Sequence, residues 1–231
     1  MTRKTSVEIR HNVPLFPLHT VLFPGMMLPL RVFEPRYLRM FDRVLNTREE
    51  FGVVLIAKGS EVGGEAIPHD VGTLARVVRM ERAEDGTLHV MAQGTRRFRV
   101  QALNRQQPYL QARVEVVIER WEETPRTYAL AMKVREIWER YVVRLKEVIG
   151  LNIPTHDMPT HASDIAFYVA SSLRIGVQDR QYLLTRWDTA EMLRAEIRIL
   201  RREMSLLRFI ERTQERENEL RLGPTGYLSR N

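Results

Sequence analysis

The chain contains no cysteine in its 231 residues, which removes disulfides, thiolate metal sites, iron–sulfur clusters and cysteine nucleophiles together. Lysine is scarce as well, standing only at 4, 58, 133 and 146 although Lys and Arg together number 36. No apolar run approaches the roughly 20 residues of a membrane-spanning helix. The basic start "MTRKTSVEIRHN" lacks the apolar segment of a secretion signal. A cytoplasmic protein without membrane association is expected. Signatures of catalysis are missing too. Lys58-Gly59-Ser60 has the wrong order and spacing for a phosphate-cradling loop, and the hydrolase elbow Gly-x-Ser-x-Gly is absent. His156 and His161 are five apart and flanked by prolines, not the i, i+4 pair of a helical zinc site. The carboxylates Asp42, Glu49, Glu50, Glu61 and Glu65 are scattered, and no spacing fixes a pair for acid–base work. What survives is a binding protein, with no enzymatic activity, cofactor or metal expected.

What is present suits a folded core: 44% of residues are hydrophobic and 28% charged. A net charge of +7 and a pI near 10.0 invite a nucleic-acid reading, since clustered basic side chains neutralise phosphates. No dense basic run supports it, so a solvated charge is the preferred account and RNA binding the alternative.

The first half reads as strands. "FGVVLIA" (51–57) is an apolar run, and "VGTLARVVRMERAEDGTLHVMAQG" (71–94) holds two strand-like runs around Asp85-Gly86, a preferred hairpin turn. In "RRFRVQA", alternation sets Phe98, Val100 and Ala102 on one face and Arg97, Arg99 and Gln101 on a wet one. In "YLQARVEVVI", Leu110, Ala112, Val114, Val116 and Ile118 oppose Gln111, Arg113 and Glu115. One short helix interrupts, with Pro35 in its first turn and Tyr37, Phe41, Val44 and Leu45 on one stripe. Near Trp121 the character changes. Thr124 caps a long helix that has Pro125 at its first position, an apolar stripe from Ala131 to Val148, and Gly150 as its stop. After the proline-bearing "NIPTHDMPTH" come a helix over about 163–173, a short one after Asp179, and a last helix opened by Asp188 and Glu191 as a capping box. In that helix Leu193, Ile197, Leu200, Met204 and Leu207 form a seam that ends near Ile210. The seam either packs on the long helix or pairs with a second copy, making a homo-oligomer. The polar remainder, 211–231, is broken by Gly223-Pro224 and reads as frayed or disordered.

Residues 22–37, "LFPGMMLPLRVFEPRY", set three prolines and two methionines among apolar residues. Proline removes a backbone donor, so the stretch is short strands joined by corners.

Together, "VPLFPLHTVLFPGMMLPLRVFEPRYLRMFDRVL", "FGVVLIA", "VGTLARVV", "GTRRFRV" and "DIAFYVASSLRIGVQDRQYLLTRWDTAEMLRAEIRILRREMSLL" closely resemble the N-terminal substrate-binding domain of Lon-type ATP-dependent proteases, in the stand-alone form found in many bacteria. The resemblance covers about residues 12–210. It implies an α+β fold, a PUA-like β-barrel subdomain (10–120) followed by an all-helical bundle (121–210), with 211–231 as the tail. It also implies a non-catalytic adaptor that recognises unfolded or tagged polypeptides, the ATPase and peptidase modules being absent here. Where the proteases usually carry a Gly-Arg-Glu-Lys type of segment, this chain has Val32 to Tyr37, and only Glu34 and Arg36 carry over. The expected client site is bordered by Met26, Met27, Phe33, Glu34, Arg36 and Tyr37. Methionine repacks against varied partners and the Glu34/Arg36 pair can orient a peptide; the competing reading places the methionines and Phe33 in the core.

Overall fold

A computed structural model describes residues 6–61, 66–118, 123–153 and 158–222 of the protein. The expected junction near residue 120, His156 and the Gly223-Pro224 break lie outside them. The elements in chain order are β1 (Ser6–Leu18), β2 (Met27–Val32), α1 (Pro35–Thr47), β3 (Phe51–Lys58), β4 (Ile67–Arg82), β5 (Leu88–Asn104), β6 (Gln111–Ile118), α2 (Pro125–Ile149), α3 (Ala162–Ser172), α4 (Val177–Leu184) and α5 (Thr189–Leu222). This is a mixed six-stranded sheet with helices, the α+β class. No helix among the described residues is long and apolar enough to cross a membrane.

The chain divides into two compact units, one of Met1–Glu122 with Phe167–Thr189, the other of Glu123–Ala166 with Ala190–Asn231. In the first, β1 runs parallel to β3, and β3–β4, β4–β5, β5–β6 and β6–β1 are antiparallel. The pairings therefore return to their start in a closed circuit of five strands. β5 is long enough to serve several partners: Leu88 to Gln93 lie between β2 and β4, while Phe98 to Asn104 pair with β6. β2 stands outside the circuit, paired to β5 alone among the described residues. The Asp85-Gly86 hairpin forms as read: Gly86 has φ 81° and the Asp85 carboxylate accepts the Thr87 N–H at 2.9 Å.

Two apolar clusters fill this unit. One gathers Phe16, Leu28, Leu30, Tyr37, Phe41 and Phe51 with their neighbours, the other Leu15, Val54, Leu74, Phe98, Val114 and Val116 with theirs. Phe16 meets the rings of Tyr37 and Phe41 edge-on, at centroid separations of 4.5 and 5.7 Å, contacts worth about 0.5–1.5 kcal/mol each beyond their buried area. The alternation in β6 buries Ala112, Val114 and Val116 as read, but Gln111, expected on the wet face, is buried too, its Nε2 donating to Asn12 O at 3.1 Å.

β5 departs from its alternation. Arg97, expected on a wet face, is 1% exposed. Its Nη1 donates to the carbonyls of Leu184 (2.8 Å) and Arg186 (2.5 Å), and the guanidinium lies over the rings of Trp187 (4.7 Å) and Phe167 (5.2 Å). Residues 167–189 cover that face of the strand, so a position that alternation assigns to solvent lies under a later part of the chain. Arg180 makes a second connection: Nη1 donates to the carbonyls of Ser171 (3.3 Å) and Leu173 (3.4 Å), and Nη2 to that of Val21 (3.3 Å). Burial, with the charge of Arg174 beside it, pushes this guanidinium below its usual range.

In the second unit, Thr124 accepts the Thr127 N–H at 3.1 Å in a reciprocal capping box, and Gly150 closes α2 with φ 70°. Ala131, Val134, Trp138, Tyr141 and Leu145 are buried along it. The α5 seam is buried within a single chain at Leu193, Ile197, Leu200 and Leu207, and Arg144 of α2 pairs with Glu211 of α5. α5 does not stop where the seam does; it continues to Leu222. α4 begins at Val177, so Asp179 lies in its first turn rather than before it.

Candidate functional site

The stretch from Leu22 to Tyr37 makes a corner, an edge strand and a helix start. Pro24 and Gly25 are the middle of a tight turn, with Gly25 at φ 80° and the Met26 N–H donating to Phe23 O at 3.1 Å. The corner docks on β5: the Gly25 N–H donates to Gly94 O and the Gly94 N–H to Met26 O, both at 2.9 Å. Gly94 is required there, because a Cβ would stand 2.2 Å from the Phe23 carbonyl oxygen. β2 then alternates exposed and buried residues, sending Leu28, Leu30 and Val32 into the core. Glu34 takes the extended cap position of α1 and Pro35 follows inside the helix, where its missing N–H costs nothing.

The structure separates the six expected site residues into two groups. Met26 is half-buried, packs on the core and offers its Sδ to Arg180 Nη2 at 3.6 Å. Met27 is 43% exposed at the start of β2. Neither lines either of the two cavities beside α1. Phe33, Glu34 and Tyr37 do come together, in a cavity of about 290 Å³ bounded also by Phe16, Pro17, Leu18, Thr20, Leu28 to Arg31, and Glu61. Phe33 is 53% exposed at its mouth. Tyr37, only 5% exposed, forms part of this wall and also part of a neighbouring cavity of about 200 Å³ that holds Arg36, Arg105 and Tyr109.

Electrostatics tie the two compartments together. Arg36 Nη2 lies 3.0 Å from a Glu34 carboxylate oxygen and donates to Glu61 O at 3.1 Å, and the guanidinium sits 4.6 Å from the Tyr37 ring centroid. Burial pushes the Tyr37 phenol above its ordinary value, so its hydroxyl remains a donor across the physiological range. The resulting surface has apolar walls, one ion pair and a phenol, the mixture that binds an apolar segment and orients it by a few polar contacts. Leu18, Thr20, Arg105 and Tyr109 were not singled out from the sequence, and Glu61 stood there only among the scattered carboxylates. They come from three other stretches, and only the closure of the sheet brings them to β2 and α1.

A family model described as the ATP-dependent protease La (LON) substrate-binding domain matches residues 12–202. Among curated proteins, the chain is 26% identical over 204 residues to a Lon protease of Anaeromyxobacter dehalogenans, an alignment covering 87% of this chain and 24% of that protein. It is 28% identical over 209 residues to a Lon protease 2 of Syntrophobacter fumaroxidans, covering 87% and 26%. The chain thus spans about a quarter of the length of these relatives. Among solved structures, a Lon N-terminal domain protein from Xanthomonas campestris superposes with a TM-score of 0.59 at 29% identity, covering 79% of this chain and 95% of that one. The N-terminal domain of a Mycobacterium avium complex Lon protease shares the fold with a TM-score of 0.60 at 20% identity, covering 82% and 97%.

Proposed function

Because the chain belongs to the LON substrate-binding domain family, we propose that it is a non-catalytic polypeptide-recognition module whose client surface is the cleft at the start of α1. The observation that supports this reading is the cavity under Phe33, where an exposed aromatic ring, apolar walls and the Glu34–Arg36 pair stand together. Exposed apolar segments of unfolded clients supply the complementary surface. Met27, exposed on the same edge strand, extends the client surface along β2.

The test uses labelled, reduced and carboxymethylated α-lactalbumin as a permanently unfolded client, titrated in fluorescence anisotropy beside a labelled single-stranded RNA at two salt concentrations. Met27→Ser/Phe33→Ser, and separately Glu34→Lys/Arg36→Glu, should each weaken client binding at least fivefold and leave Tm within a few degrees. Unchanged client binding in both variants removes the cleft from the reading. Tight RNA binding that falls steeply with salt, without client binding, replaces it with a nucleic-acid role.

A further inference from the structure

We propose that a bound polypeptide adds to the sheet as a strand along the free edge of β2. This rests on the cleft being the client surface, and it specifies the conformation of the client: extended, about five residues long, with apolar side chains at alternate positions.

The cavity touches Leu28, Pro29, Leu30 and Arg31 in succession, and Phe16, Pro17 and Leu18 in succession. Successive side chains of a strand point to opposite faces, so a cavity that meets four in a row runs along the edge of the strand rather than over one face. β2 is paired to β5 on its other side, and Phe16 to Leu18 are paired to β3, the bonds of β1 on its β6 side ending with the Leu15 N–H, which donates to Leu110 O at 2.8 Å. Among the described residues, the cavity thus runs beside two stretches of strand that each carry a partner on one side only.

The pattern of free groups on β2 follows from two observations. The Gly94 N–H donates to Met26 O and Gly94 O accepts the Gly25 N–H, both at 2.9 Å, while the Met26 N–H turns to Phe23 O; Gly25 and Met26 thus face Gly94 as a bulge, whose bonded side sets the phase of the ladder that follows. Alternation along an antiparallel ladder then gives Leu28, Leu30 and Val32 bonds to β5, and turns the backbone groups of Met27, Pro29 and Arg31 outward. Pro29, which has no N–H to give, falls on an outward position, as this phase requires. The edge therefore presents the N–H of Met27 and of Arg31, with the carbonyls of Met27, Pro29 and Arg31 as acceptors. These positions span about 14 Å of extended chain.

Pro29 in one wall and Pro17 in the other each remove a donor, which keeps the two stretches from zipping onto each other and blunts indiscriminate edge pairing. A guest strand finds donors only at the two ends of the site. Its side chains on the inward face meet Phe16, Leu28, Leu30 and Tyr37, the apolar part of the wall. Main-chain bonds supply affinity without regard to sequence, and alternate apolar side chains supply selection, as in other strand-addition sites.

The probe is a labelled Thr-Val-Thr-Val-Thr-Val-Thr peptide with blocked ends, compared with two versions N-methylated on every second residue, one on the valines and one on the threonines. Each methylated version keeps a single edge able to donate, and for a guest held in one direction along β2 the two versions set different side chains inward. One should keep its affinity within threefold and the other should lose at least tenfold. Equal affinities overturn strand addition, as does failure of the unmodified peptide to bind while carboxymethylated α-lactalbumin still binds at the cleft. Failure of both ligands removes the underlying reading instead. Pro29→Val adds one outward N–H and should tighten the unmodified peptide at least threefold; a folded variant with unchanged or weaker binding counts against the proposal.

Discussion

Glu196 in α5 and Glu50 at the entry to β3 are both carboxylates withdrawn from water, and they respond to pH in opposite senses. Glu196 is fully buried with neither oxygen hydrogen-bonded among the described residues, so desolvation holds its carboxyl well above the ordinary glutamate range. Burial also pushes Glu50 up, but the Thr95 hydroxyl and the guanidiniums of Arg10 and Arg96 together outweigh it and leave the carboxyl below that range. The folded state thus binds a proton at Glu196 more tightly than the unfolded chain does, which costs stability as pH rises from about 4.5 towards the folded value. Glu50 contributes stability above about 4.5 that is lost as pH falls through its lowered value. Urea unfolding of Glu196→Gln should show a gain over the parent at pH 7.5 that vanishes near pH 4. Glu50→Gln should show a loss at pH 7.5 that narrows on acidification. A Glu196→Gln gain that is the same at both pH values would contradict the assignment. Arg97 shows what limits reading at this scale: period-two alternation correctly sets it opposite Phe98, but which side is wet is decided by residues 167–189, and nothing near Arg97 announces them.

At the scale of elements, the best-read features are those whose cause is local. Thr124 and Gly150 bound α2, Asp85-Gly86 turns β4 into β5, and Pro24-Gly25 makes the corner, each because of a residue's own backbone preference or capping chemistry. The cavity was half-read for the same reason. Phe33, Glu34 and Tyr37 are neighbours in sequence, whereas Glu61 and Leu18 reach the same wall through sheet pairing that no short string encodes. Gly94, where the corner docks, and Gly86, in the β4–β5 hairpin, offer a sharp contrast. Gly94→Ala must displace the Phe23 carbonyl and should cost about 1–3 kcal/mol. Gly86→Ala meets nothing within 4 Å and should lose only about 1 kcal/mol, from its left-handed backbone. Chemical denaturation of the two variants checks the order; a milder loss at Gly94 would mean the corner is not pinned to β5.

For the whole molecule, composition and absent motifs pointed to a binding protein with a strand-rich first half and a helical second half, and family membership accords with that reading. The regrouping of residues 167–189 with the strands was not readable, because nothing local in α3 and α4 names their partners, which lie far back in the chain. Leu200, fully buried in the second unit, provides a test of the seam. Leu200→Asp exchanges roughly 1.5–3 kcal/mol of apolar burial for an unpaired charge, so hydrogen-exchange protection should be lost in α2 and α5. A variant that keeps its protection but changes mass in light scattering would place the seam between copies instead. The closed circuit of strands also bears on how the protein is made. β1 is synthesised well before its partner β6, which begins at Gln111, and the cover over Arg97 ends only at Thr189. During synthesis the first strand must wait, one edge open, for nearly the whole first unit to emerge, and Arg97 stays in water until the cover arrives. The nascent module is therefore itself a chain with unpaired edges and exposed apolar residues, and for the length of its own translation it resembles the clients proposed for it.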